Sequence, residues 1–176
     1  MKELSLNILD VAKNSVKAGA SRIIIRIEEK DGWRTLTIID NGCGMTPDFL
    51  AAVTDPFTTT RTTRKVGMGL PLLKLAAEQT GGTLEIASSA VPPTGTTVRA
   101  SFRMDHLDCV PVGDYVGSMV TLIQGSPEID FLFEYLRPEG NITLDTAQVR
   151  EILGPEIPLN TPDVLMWIEG SLKPEE

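Results

Sequence analysis

Asp40, Gly42 and Gly44 fall within the run Ile39-Asp40-Asn41-Gly42-Cys43-Gly44-Met45, and their types and spacing suit the holding of a flat polar ligand. A carboxylate at the end of a buried strand is costly unless it meets hydrogen-bond donors, and an amino group on a planar heterocycle is one such donor. The glycines have no Cβ, so backbone there can approach a ring closely and adopt positive φ. The same residues also read as a plain Asp-Asn-Gly turn after a strand. Upstream, Asp10 and Asn14 are one helical turn apart and project from one face, which by itself reads as two polar residues on a solvated helix. Downstream, Arg61, Arg64 and Lys65 concentrate positive charge that would suit phosphate oxygens. Gly67 and Gly69 then open a helix, whose free N–H groups and positive dipole end suit phosphates too.

These groups need elements to carry them. Residues 1–18 read as a helix with Leu4, Ile8, Val11, Ala12 and Val16 near helical spacing, stopped by Gly19. Residues 21–28 form an isoleucine-rich strand, Lys30-Asp31-Gly32 a turn, and residues 33–39 the strand that delivers Asp40. Thr46-Pro47 opens a short helix as N-cap and first residue. The helix after Gly69 places Leu70, Leu73, Ala76 and Ala77 on one face and ends at Gly81-Gly82. Two strands, residues 83–88 and 96–104, flank a Pro-Pro-Thr-Gly turn. This order implies a mixed sheet with helices on one face, an α/β (α+β) two-layer sandwich.

Charge divides the chain. Residues 1–104 carry 13 Lys/Arg and 10 Asp/Glu, whereas residues 105–176 carry 3 and 14, so the expectation is two pieces, 1–104 and 105–176. Within the acidic piece residues 114–124 fit a helix or a strand, residues 129–135 and 142–144 a hairpin, and Asp145 and Thr161-Pro162 the starts of two helices. With no catalytic signature there, it reads as an interaction or regulatory module for a protein partner. Its acidity argues against nucleic acid. There is no apolar run long enough for a bilayer and no signal peptide, and Cys43 and Cys109 lack metal-ligand spacing, so the expected setting is the reduced cytoplasm, without a membrane. His106, the sole histidine, reads as a solvated linker residue rather than a phosphoacceptor.

Asp-Asn-Gly-Cys-Gly-Met resembles the adenine-binding box of the GHKL family, which comprises gyrase-type topoisomerases, heat-shock chaperone ATPases, sensor histidine kinases and MutL-type repair proteins. Three further boxes resemble that family in order. Residues 9–20 are similar to its Asn box, Pro56-Phe57-Thr58-Thr59 to its Phe box, and Gly67-Met68-Gly69-Leu70 to its second glycine box. The resemblance covers residues 1–104 and implies the Bergerat ATP-binding fold with a small C-terminal α/β extension. It implies ATP and Mg²⁺ as cofactors. Asn14 would hold the Mg²⁺, and a neutral amide oxygen suits a hard cation that keeps most of its waters. Asp10 would be the general base, one methylene shorter than the family's usual Glu. Asp40, Gly42, Gly44, Met45 and Thr96 would surround adenine. Phe57, Thr59, Arg61 and Lys65 would form a lid over the phosphates, with Gly67, Met68, Gly69 and Leu70 beneath them. Three uses of ATP follow from the resemblance: transfer to a protein partner by a kinase, hydrolysis by a conformational switch, and nucleotide sensing by a non-catalytic subunit. A homodimer is compatible with all three.

Overall fold

The computed structural model describes residues 3–53 and 69–174. Its elements are α1 (Leu4–Lys17), β1 (Arg22–Lys30), β2 (Trp33–Asp40), α2 (Pro47–Ala52), α3 (Gly69–Gln79), β3 (Leu84–Ser89) and β4 (Gly95–Arg103). After these come α4 (Tyr115–Gly125), β5 (Asp130–Leu136), β6 (Ile142–Asp145), α5 (Thr146–Leu153) and α6 (Pro162–Leu172).

Alternation builds the sheet. Ile23, Ile25 and Ile27 of β1 point inward and are fully buried, as are Leu36 and Ile38 of β2, Val98, Ala100 and Phe102 of β4, and Phe131 and Phe133 of β5. Their neighbours Ile24, Arg26, Thr37, Ile39 and Arg99 face the other way and are half-buried or exposed. The strand order is β3-β4-β2-β1-β5-β6. All neighbouring strands run antiparallel except β1 and β5, which are parallel. Helices α1, α3 and α4 cover the apolar face, giving the two-layer α/β sandwich expected from the element order.

Local chemistry sets the element ends where the residue types place them. Gly19 follows α1 with φ +79°, and Asp31 and Gly32 take φ +55° and +82° between β1 and β2, as a two-residue hairpin turn requires. Thr46 caps α2, its Oγ1 accepting from Phe49 N–H at 3.3 Å. Asp145 caps α5 through Ala147 N–H at 3.0 Å. Residues 114–124, open between helix and strand from periodicity, are the helix α4, with Asp114 accepting from Gly117 N–H at 2.9 Å.

The sheet continues across residue 104. β5 pairs with β1 from Arg22↔Asp130 to Glu28↔Leu136, so the acidic stretch adds strands to the same sheet. Inner residues on both sides of position 104 belong to one hydrophobic cluster. Tyr115 of α4 stacks on Phe133 at 5.4 Å between ring centroids, and its hydroxyl donates to the Leu172 carbonyl at 2.8 Å. Burial raises the Tyr115 phenol above its ordinary range. A second tie joins three segments around Glu29, whose carboxylate accepts from Arg34 Nε at 2.8 Å and Tyr135 OH at 2.9 Å, while Arg34 also donates to the Val110 carbonyl. Burial, then the hydrogen bond to Glu29, pushes the Tyr135 phenol up to about 12.

Candidate nucleotide-binding site

Asp40 is the last residue of β2 and pairs with Thr96, the second residue of β4. Both of its carboxylate oxygens are held: Oδ2 accepts from Ser15 Oγ at 2.6 Å, and Oδ1 accepts from Gly42 N–H at 2.9 Å. Charge-assisted bonds of this kind are short and strong, and they fix the direction of the carboxylate. Ser15 is 3% exposed, so its hydroxyl is committed to Asp40 and not to solvent.

The glycines work by contact. Gly42 lies against the end of α1, where an added Cβ would come within 2.7 Å of the Ala18 Cβ. Cys43 N–H donates to the Ala18 carbonyl at 2.9 Å and seals that junction. Gly44 has φ +74°, and an added Cβ would collide with the Ser89 carbonyl oxygen. Gly69 begins α3 directly against Asp10, its virtual Cβ 3.1 Å from the Asp10 Cβ. That contact brings the helix N-terminus beside the acid of α1.

A cavity of about 560 Å³ opens over these groups. Of the residues expected at the site, Asn14, Asp40, Gly44, Met45, Leu70 and Thr96 line it together. Val11, Phe49 and Val98 add apolar wall, and Ser15, Lys17 and Cys43 also face it. Gly42 and Gly69 are buried behind the lining as spacers, and Asp10 is exposed on α1 one turn from Asn14. Phe57, Thr59, Arg61, Lys65, Gly67 and Met68 lie outside the described residues.

Two contributors escaped the sequence reading. Ser15 sits next to Asn14, but nothing in its spacing announced a bond to a residue 25 positions away. Ser88 of β3 meets Thr96 Oγ1 at 2.7 Å and accepts from Met45 N–H at 2.8 Å. The hairpin itself held that signal, since counting back from the turn pairs Ser88 with Thr96.

The arrangement is a mostly apolar slot with a fixed carboxylate and a hydroxyl at one end and an amide on its wall. Such a slot takes a planar ring by its faces and an N–H group by the carboxylate. Among the described residues no group of three or more His, Cys, Asp or Glu could hold a metal ion. A cation at Asn14 would therefore draw its other ligands from a bound ligand and water.

Comparison with known proteins places the site in a family. Residues 2–106 match the model of the histidine kinase-, DNA gyrase B- and HSP90-like ATPases. A putative NtrY-like sensor histidine kinase of Rickettsia conorii is 28% identical over 109 residues, 61% of this chain and 18% of that protein. The C4-dicarboxylate transport sensor protein DctB of Rhizobium meliloti is 30% identical over 104 residues, 58% of this chain and 16% of that protein. The chain thus spans less than a fifth of the length of these curated relatives. In three dimensions it is similar to the MutL ATPase domain of Aquifex aeolicus complexed with ADP, with a TM-score of 0.56 at 17% identity, covering 87% of this chain and 69% of that one. That likeness covers more than residues 2–106, so the shared fold runs on into the acidic stretch. Matched over more than half its length, with the fold and the pocket in the same stretch, the chain belongs to the histidine kinase-, DNA gyrase B- and HSP90-like ATPase family.

Proposed function

We propose that this chain binds Mg–ATP in the cavity and uses it to phosphorylate or regulate a protein partner. The observation that carries the reading is Asp40, its two oxygens held by Ser15 and Gly42, at the end of a cavity that Thr96 and Asn14 also line. Adenine occupies the slot by Asp40, Gly44, Met45 and Thr96. Asn14 would hold Mg²⁺ through its amide oxygen, a hard donor suited to that ion. When bound, Mg²⁺ would neutralise charge on the phosphates, and this chain's own residues would hold and orient the nucleotide. Asp10, one helical turn from Asn14 on α1, would orient an attacking hydroxyl or water.

Transfer goes to a second molecule. His106 lies beyond the far end of β4, and Thr96 and Arg103 alone are seven residues apart on that strand, about 24 Å. The sensor histidine kinases among its relatives support a protein phosphoacceptor. The acidic stretch 105–176 is the docking module. On α6 it exposes Met166 and Trp167, 70% and 58%, beside Asp163 and Glu169, a surface for a protein with basic residues around an apolar cleft. The proposed setting is cytoplasmic, without membrane or nucleic acid, and a homodimer is compatible with it. Among the described residues no helix is long and apolar enough to cross a membrane.

A second reading is an ATP-hydrolysing switch. It is favoured by the likeness to the MutL ATPase domain, which extends past residue 106. A third, nucleotide sensing without turnover, is favoured by the short Asp10. Incubation with γ-labelled ATP and Mg²⁺ separates them. Label on an added protein supports the kinase, free phosphate the switch, and label retained on bound ATP, with and without cell extract, the sensor. No bound nucleotide under any condition refutes all three.

A further inference from the structure

Ser88 stands on β3 directly opposite Thr96 of β4. Its Oγ meets three groups from separate segments. Met45 N–H donates to it at 2.8 Å, the Gly95 carbonyl oxygen lies at 3.1 Å, and Thr96 Oγ1 lies at 2.7 Å. A hydroxyl has one proton to give and two lone pairs to accept with. The Met45 amide can only donate and the Gly95 carbonyl can only accept. Were the Ser88 proton given to Thr96, the Ser88 and Gly95 oxygens would face each other with no proton between them. Given to Gly95, the proton satisfies all three contacts, and Thr96 must then donate to Ser88. Thr96 Oγ1 turns only lone pairs toward the cavity.

We propose that Ser88 is a positioning residue that fixes Thr96 as a hydrogen-bond acceptor and ties the Gly44-Met45 turn to β4. Asp40 is also acceptor-only, with Ser15 and Gly42 as its internal donors. The end of the cavity is thereby a wall of acceptors, matched to an amino edge or to an ordered water that donates. A Thr96 free to rotate would also present its proton and blur that match. Ser88 itself does not line the cavity, so it acts through Thr96 and Met45. The proposal rests on the reading that this cavity holds a nucleotide.

The test is titration calorimetry with ATP on the wild type, Ser88→Ala, Ser88→Thr, Thr96→Val, the Ser88→Ala/Thr96→Val double variant, and Asp40→Asn. Ser88→Ala is expected to weaken ATP by about tenfold, the scale of one lost internal hydrogen bond. Ser88→Thr, which keeps the hydroxyl, restores affinity to within about threefold, and it carries the test if Ser88→Ala fails to fold. In the Thr96→Val background Ser88→Ala adds less than the about tenfold it costs in the wild type, because of the two groups it fixes only the Met45 amide remains. Full multiplication of the two single losses, or an unchanged affinity in Ser88→Ala, overturns the proposal while leaving the nucleotide site standing. No ATP uptake by the wild type, or wild-type affinity in Asp40→Asn, overturns the nucleotide reading and the proposal together.

Discussion

Replacing Gly44 by alanine separates backbone strain from steric contact, because Gly32 supplies a matched control. Both glycines adopt the left-handed region, at φ +74° and +82°. An alanine Cβ at Gly32 would meet nothing within 4 Å, whereas at Gly44 it would collide with the carbonyl oxygen of Ser89. Gly32→Ala should therefore cost only the conformational penalty, about 1–2 kcal/mol. Gly44→Ala should cost that and the overpacking of a backbone atom that cannot rotate away, a further 1–3 kcal/mol or so. In a chain of this size the difference corresponds to roughly 3–10 °C in melting temperature. The contact also predicts a functional split. Relief at Gly44 moves the turn that carries the Met45 amide away from Ser88, so ATP affinity should fall in Gly44→Ala and stay at the wild-type level in Gly32→Ala. Urea melts and ATP titrations of the two variants measure both quantities. Equal destabilisation, or equal ATP affinity, would show that Gly44 is chosen for its dihedral alone and would refute the contact argument.

Other perturbations follow from the same geometry. Ser15→Ala removes a 2.6 Å bond to the Asp40 carboxylate and should weaken ATP by about ten- to a hundredfold, the equivalent of 1.5–3 kcal/mol, as read by calorimetric titration. The Tyr135 phenol is raised from 10.0 to about 12, so the unfolded chain gives up that proton first. Stability from this group is complete below about pH 10 and declines toward pH 12 by up to roughly 2 kcal/mol. Urea midpoints across that range should fall more steeply for the wild type than for Tyr135→Phe. Phe133, fully buried in β5 and stacked on Tyr115, should cost about 3–5 kcal/mol as Phe133→Ala. A single unfolding transition that shifts as a whole would show that the β1–β5 pairing is part of one cooperative unit; a transition that splits would contradict this.

Local signals were legible and distant ones were not. Gly19, the Asp31-Gly32 turn, Thr46-Pro47 and Asp145 each act within a few residues of themselves, and each end falls where its type places it. Asp40 and Gly44, read from their types and spacing, and Thr96, read from the family resemblance, do line one cavity. The bonds that aim them were not legible, since Ser15 to Asp40 and Met45 to Ser88 are long-range and serine is common everywhere. Residues 114–124 satisfied two periodicities, and the cap at Asp114 with the packing of Tyr115 decides for helix. The parallel pairing of β5 with β1 joins residues more than a hundred positions apart. Net charge changes sharply near residue 104, but charge reports on the surface, and the inner faces of β1 and β5 are equally apolar.

The proposed site depends most on the Asp40 carboxylate, which would receive the amino group of a nucleotide base. Asp40→Asn keeps the shape of the side chain and removes its charge, turning one of two acceptor oxygens into a donor. ATP titrated calorimetrically into both proteins, with melting temperatures alongside, measures the effect. Asp40→Asn should lose at least about a hundredfold in ATP affinity while keeping a melting temperature within a few degrees of the wild type. Equal ATP affinity in the two proteins would contradict the proposed site.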